Sequence, residues 1–457
     1  MSSALALQPE SAPTPKPTAA PRLTNSLVLA VAGVILLLAP LAFGAVEPWS
    51  ILALELGAAL CLVVWGARQW LKSQIEIVPN NLYLPMALFF CLAVAQWAFG
   101  TTAYRFVTYN HLLEYAAYGM LAFVVTQALR RSSQFESMSL WITIYGGAVA
   151  MFAVLQGIAP NGKIYWIWPA EQGGLIYGPY VNHNHYAGLM EMLLPFPLVM
   201  AATRVREGHW RRAVTATAAL MAGSIFLSGS RGGMLAFAAQ VIVLAILLVR
   251  ARKNSWRQPL MLAVVLAAFI AFLLWLGGSE LTKRLASIHT EAQAELTRGT
   301  RLAIDRDCLR MLMHRPLLGW GLGTFPIVYP QFRSFYTTFF VNQAHNDYLQ
   351  LAVEMGLAGI AIAVWFLVLV FRRAFSKLQD WTDSGTGTLT VAALLGCVGI
   401  LVHSFFDFNL QIPANAAIFY VLCSIIAAPP LQESHRKRVA RRHNLIVELR
   451  PGDTAAS

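Results

Sequence analysis

Charge is what this sequence has least of. Only 12% of its 457 residues are Asp, Glu, Lys or Arg, about half the share found in soluble domains. That shortage excludes an ordinary water-soluble globule. Cysteine is scarce too, with five in all. Cys61, Cys91, Cys397 and Cys423 fall inside apolar runs, and Cys308 stands alone in the largest polar gap, so no disulfide framework is implied. No metal-ligand set is visible either. His183 and His185 in V-N-H-N-H-Y come nearest, but their spacing suits a strand and not a helix, and no acidic or Cys partner completes them. No internal repeat is present. What remains is apolar: 57% of the residues are hydrophobic, in recurring runs long enough to cross a bilayer. The expected fold class is an all-α polytopic membrane protein.

Residues 1–25 are rich in Pro, Ala, Ser and Thr and read as a disordered tail. The first apolar run, 26–45, is too long for a signal-peptide core and is expected to stay as a helix. Further runs lie at 50–69, 82–100, 110–129, 139–159, 184–202, 211–228, 233–249, 258–277, 349–371, 388–406 and 414–430. These runs predict about twelve spans, weakest at 184–202, which holds Pro195 and Pro197, and at the short 414–430. The organisation is then helices 1–9 over 26–277, a loop domain with surface helices over 278–345, helices 10–12 over 346–430, and a basic tail over 431–457.

Lys and Arg set the orientation. With the N-terminus inside, the inside segments hold 23 of the 34 basic residues and the outside 11, eight of them in loop 278–345. Both termini are therefore expected in the cytoplasm and the long loop in the periplasm. That loop is the exception to a positive-inside pattern, and binding of an anionic group is the simplest reason for it. The overall charge of +12 thus fits topology better than nucleic acid.

Three places carry candidate chemistry. Arg231 lies in the outer turn S-G-S-R-G-G, where glycines let backbone N–H groups face an anion; the alternative is an Arg that snorkels to headgroups. Arg301, Arg306 and Arg310 lie on an expected helix from Thr300 to Met313, ended by Pro316, with Leu302, Leu309, Leu312 and Met313 as its apolar side. Arg301 stands out because it opens that helix, beside free N–H groups that attract anions, with Asp305 one turn on as a possible ion-pair partner. His345 precedes the helix starters Asn346 and Asp347. Histidine at a helix mouth facing water suits a general base; the alternative is a plain helix cap. Glu354 lies a turn or two below the surface, where an ionisable group needs a partner. Glu55, Glu114 and Glu191 are further intramembrane carboxylates, read either as a proton path or as bonds between helices.

With these residues in view, the chain resembles the O-antigen ligase and Wzy-type polysaccharide polymerase superfamily. The resemblance rests on L-A-F-G-A-V-E-P-W-S, G-P-Y-V-N-H-N-H-Y-A-G, S-G-S-R-G-G, G-T-R followed by P-L-L-G-W-G-L-G-T-F, and H-S-F-F-D-F-N. Its most specific part is H-N-x-x-L-x-x-x-x-E-x-G-x-x-G, from His345 to Gly359. It implies a GT-C-like, metal-independent glycosyltransferase of the bacterial inner membrane that needs no cofactor. The donor would be a glycan on undecaprenyl pyrophosphate, used at the periplasmic face. By motif, Arg231 and Arg301 would grip the pyrophosphate and His345 would be the catalytic base, supported by Asn346, Asp347, Glu354, Asn184, His185 and Asp407. The acceptor would be lipid A–core in a ligase, or a lipid-linked repeat unit in a polymerase. The D-F-N-L-Q-I-P-A-N turn and the N-H-N-H-Y segment lean slightly to the polymerase or exopolysaccharide branch. The competing class is a transporter or flippase; against it, the polar constellation is at the outer surface and the halves show no repeat.

Overall fold

The computed structural model describes residues 20–71, 73, 75–169, 175–203, 208–251, 298–337, 340–379 and 381–429. The expected ninth span, 258–277, the first part of the long loop, most of the N-terminal tail and the basic C-terminal tail lie outside the described residues. Eleven of the expected spans are helical. They are α1 (Ala20–Leu41), α2 (Pro48–Leu71), α3 (Tyr83–Ala98), α4 (Arg105–Ala128), α5 (Ser132–Ile158), the pair α6 (His183–Leu193) and α7 (Pro195–Ala202), α8 (His209–Ser228), α9 (Arg231–Ala251), then, after the loop helix α10 (Arg298–His314), α11 (Asp347–Ser376), α12 (Gly385–His403) and α13 (Pro413–Ala427). Among the described residues, six helical stretches are long and apolar enough to cross a membrane. One two-stranded antiparallel ribbon, Lys163–Ile164 with Trp168–Pro169, lies between α5 and α6.

Burial sorts the helices. On α2, Leu52, Leu56, Leu60 and Val63 are exposed while Leu54, Ala58 and Cys61 are buried, the one-sided pattern of a helix with its back to lipid. The α6–α7 pair is the opposite: 83% of its apolar window is buried inside the protein. It is the least apolar of the six because its polar residues, His185 and Glu191 among them, face other helices. Pro195 divides it, since proline has no N–H to continue the ladder; the chain resumes as a helix with Leu198 N donating to Leu194 O. α12 packs beside it, against α9, α5 and α13.

The connections that the charge pattern places outside all meet at one end of the bundle. Ala414 N donates to Gly44 O, Ala103 N to Trp320 O, and Asp347 N to Ser404 O. Tyr180 Oη donates to Asn415 Oδ1, and His183 Nδ1 lies 2.8 Å from Ser228 O. Six widely separated connections thus form one layer.

The surface helix α10 has apolar residues on two sides. Leu302, Leu309 and Met313 do not pack into the protein; they are exposed. The buried face is Ile304, Asp307, Cys308 and Met311, which cluster with Phe325, Val328 and Tyr329 of the following loop. A carboxylate, Asp307, secures this packing: it accepts from Tyr329 Oη (3.1 Å) and Ser334 N (3.0 Å) and pairs with Arg310. The exposed leucines and Met313 are left on the outward side, as suits a helix resting on a membrane surface.

Candidate active site

The loop and the start of α11 are held by glycines and one glutamate. Gly319, Gly321 and Gly323 all have left-handed φ angles (70°, 112° and 75°), which side-chain-bearing residues rarely adopt. A Cβ on Gly321 would strike Thr102, and one on Gly323 would strike His111. Glu354 closes the loop from below. Its Oε2 accepts from Gly323 N at 2.8 Å and its Oε1 from Phe325 N at 3.2 Å and Gln350 Nε2 at 3.3 Å. The backbone joins in, with Trp320 N on Val353 O and Gly321 N on Glu354 O. At Gly356 the helix kinks (φ 64°, ψ −168°), freeing Leu357 N and Ala358 N to bond the 316–317 carbonyls. The E-x-G pair and the P-L-L-G-W-G-L-G-T-F loop are therefore one clasp, and Glu354 acts by holding it.

At the mouth of α11 the cap is Asn346. Its side chain accepts from Tyr348 N and Leu349 N, so His345 lies one residue outside the cap and is not a capping residue itself. His345 has a left-handed φ of 55°, a cost that for a non-glycine residue needs a reason. That conformation brings Nδ1 to 3.5 Å from Asp407 Oδ1, with the two side chains 16% and 2% exposed. The His345 ring also meets the edge of Phe408 (centroids 4.9 Å apart), and His185 meets the same ring (4.6 Å). Asp407 lies on the connection after α12. Burial by itself raises its carboxyl, but the adjacent His345, with His185 and His403, outweighs this and holds it far below the usual carboxylate range.

Asp347 does a different job. Its Oδ2 accepts from Ser404 Oγ (2.8 Å) and Leu410 N (3.1 Å), and its Oδ1 from Gln411 Nε2 (3.3 Å). With both oxygens engaged, it ties the 404–411 connection to α11 and so sets Asp407 opposite His345. Asn184 is buried in the first turn of α6, its N–H held by Asn182 Oδ1. His185 belongs to the same turn; the i, i+2 pair His183 and His185 therefore sits on a helix and not on a strand.

Arg301 reaches the same connection: its Nη1 donates to Phe406 O at 3.1 Å. Helix α10 starts at Arg298, earlier than expected, so Arg301 ends the first turn and does not open it. Asp305 lies in the field of both Arg301 and His345; burial raises its carboxyl and those two charges oppose the rise. Arg306 and Arg310 are exposed and face elsewhere. Arg231 is the exposed first residue of α9. The glycines around it have packing roles that the sequence did not reveal. Gly229 is left-handed (φ 78°) and ends α8. Gly232 and Gly233 admit His403 and Ala187 at close range. Ser230 Oγ already accepts from Gly233 N at 3.1 Å, so the turn is less of an open anion nest than its composition suggests.

The least foreseen feature lies beneath this turn. His403 and Glu191, 1% and 0% exposed, meet at 2.8 Å between Nδ1 and Oε1. In the sequence Glu191 is legible only as a costly intramembrane carboxylate, and His403 only as the first letter of H-S-F-F-D-F-N. The Phe408 ring that separates His185 from His345 is legible only as a letter of the same motif.

The fold and the site define a polytopic helical membrane protein with a His–Asp pair and two arginines gathered in the loop layer at one end of its bundle. A family model described as O-antigen ligase (Wzy_C) matches residues 216–364. That stretch of the chain is thus similar to the O-antigen ligase family, which supports the resemblance to the O-antigen ligase and Wzy-type superfamily read from its motifs. The matched stretch holds Arg231, Arg301, His345 and Glu354; His185, His403 and Asp407 lie outside it. No curated protein matches the chain.

Proposed function

We propose that this protein is a GT-C-type glycosyltransferase of the bacterial inner membrane. It moves a glycan from undecaprenyl pyrophosphate to an acceptor sugar hydroxyl at the periplasmic face. The single observation that carries the reading is the placement of His345. Its ring is aimed by a left-handed backbone and by Asp407 3.5 Å away, beside Arg301. A carboxylate facing Nδ1 favours the tautomer with the proton there, which leaves Nε2 as the base.

In this mechanism the acceptor oxygen attacks the anomeric carbon from the face opposite the pyrophosphate. The bond from that carbon to the pyrophosphate oxygen breaks, and its electron pair leaves on undecaprenyl pyrophosphate. The hydroxyl proton passes to His345 Nε2, and the anomeric configuration inverts. Arg231 and Arg301 neutralise the charge that develops on the leaving group, a role that needs no divalent metal. Asp407 stabilises the imidazolium that forms. The N-H-N-H-Y segment and the D-F-N-L-Q-I-P-A-N turn meet beside His345, through Phe408 on His185 and Asn415 Nδ2 on His185 O (3.0 Å). On those segments we favour chain polymerisation over ligation to lipid A–core.

The test is reconstituted protein with lipid-linked donor and acceptor in EDTA. Wild type should turn over without added metal. His345→Asn, which keeps a polar side chain and leaves the Asn346 cap intact, should lose about 10²–10⁴-fold in rate. A His345→Asn enzyme within a few-fold of wild type, or a wild type dependent on magnesium or manganese, would refute the mechanism.

A further inference from the structure

The buried Glu191–His403 pair touches no surface, yet it contacts both halves of the site. A carboxylate only accepts, so His403 Nδ1–H donates to Glu191 Oε1, at 2.8 Å. The other edge of the imidazole lies under the Arg231 turn: a Cβ built on Gly232 would fall 2.5 Å from both Cδ2 and Nε2 of His403. One built on Gly233 would fall 3.2 Å from Glu191 Oε1. The first turn of α9 is therefore seated directly on the pair. The backbone of His403 serves the other half. It ends α12, and its carbonyl accepts from Phe406 N (2.8 Å) and Asp407 N (3.2 Å). Phe406 O in turn holds Arg301, and Asp407 holds His345. Glu191 is kept in place through its backbone by α9: Gln240 Nε2 donates to both Glu191 O (2.6 Å) and Leu395 O (3.0 Å), pinning α6, α9 and α12 together at one side chain.

We propose that Glu191 and His403 are positioning residues that set Arg231 at its distance from Arg301 and His345, so that both guanidinium groups meet one pyrophosphate. The inference rests on the reading of Arg231 as a pyrophosphate ligand. Two buried ionisable partners are costly in a membrane interior, and a simple helix-to-helix bond does not require a glycine at the point where the imidazole touches α9. Loss of the carboxylate frees the ring to rotate, and the turn above loses its seat.

The experiment has two readouts on purified protein: amide hydrogen exchange across residues 228–234, and affinity for undecaprenyl pyrophosphate. Glu191→Ala and His403→Ala should speed exchange in that segment and weaken binding by about ten- to a hundredfold, the scale of a small misplacement. Glu191→Gln keeps an acceptor oxygen for His403 and should retain both properties. Gly232→Ala, which leaves the pair intact and pushes the turn off it, should repeat the loss; it serves if the core variants do not fold. Combining Glu191→Ala with Arg231→Ala should add little to Arg231→Ala alone, since both act through one guanidinium. Unchanged exchange in Glu191→Ala and Gly232→Ala overturns the positioning role, whatever the binding result. Faster exchange with wild-type affinity in Arg231→Ala instead overturns Arg231 as a ligand, and the inference falls with it. Full additivity of the two alanine variants also overturns it.

Discussion

At the scale of single residues, the two arginines and Asp407 are where charge and geometry separate. Arg231 and Arg301 should not tolerate lysine. A planar fork grips two phosphate oxygens at once, whereas an ammonium is a point charge. Arg231→Lys and Arg301→Lys should each lower glycan transfer on the order of 10²-fold at unchanged protein level. Wild-type output from either would reduce that arginine to a headgroup contact. Asp407 makes a prediction about pH. Its carboxyl is depressed by the surrounding histidines. The stability it contributes is present above the ordinary aspartate pKa of about 3.9 and is lost only as pH falls through the depressed folded value. Asp407 therefore keeps its charge on acidification from neutrality to about pH 5. Asp407→Asn should run slower than wild type across that whole interval; a variant whose rate meets wild type at the acid end would show that the Asp407 charge is not what aims His345.

At the scale of elements, the clasp between the 316–325 loop and α11 explains why so many glycines stand so close together. They let a loop lie flat against a kinked helix, with Glu354 receiving two of its N–H groups. Gly323→Ala combines a left-handed φ with a collision against His111 and should cost about 1–3 kcal/mol. Glu354→Gln turns one accepting oxygen into a donor that faces an N–H, and should cost about 1–3 kcal/mol. Both should lower the melting temperature of the purified protein. Variants that melt like wild type but have lost transfer would mean that Glu354 belongs to the chemistry and not to the clasp. Helix α10 has an inner face that its amphipathic pattern does not reveal. Its leucines mark the outward side, and Ile304, Cys308 and Met311 fill the inner face with Asp307 at its centre. A buried carboxylate with three partners is invisible to a search for apolar stripes.

At the scale of the whole molecule, the loop layer lies at one end of the bundle, and the orientation of that end follows from charge alone. We expect it in the periplasm, because 23 of the 34 lysines and arginines fall on the other side. Ser334 is exposed in this layer. Ser334→Cys should react with an impermeant thiol reagent in intact spheroplasts; labelling only after lysis would invert the topology and move the site to the cytoplasm.

The sequence by itself determined the membrane class, the positions of eleven helices and the Asn346 start of α11, and it singled out Arg231, Arg301 and His345 as candidates. Those properties are local: transfer into lipid adds up residue by residue along a run, and a helix cap bonds N–H groups two and three residues on. The tertiary structure alone decided that His345 faces Asp407, that Glu354 and Asp347 are clasps, and that Glu191 meets His403 across 212 residues of chain. No periodicity encodes these meetings. They arise because helices far apart in the chain pack side by side, and because a polar group buried among them must find its partner there or remain unsatisfied.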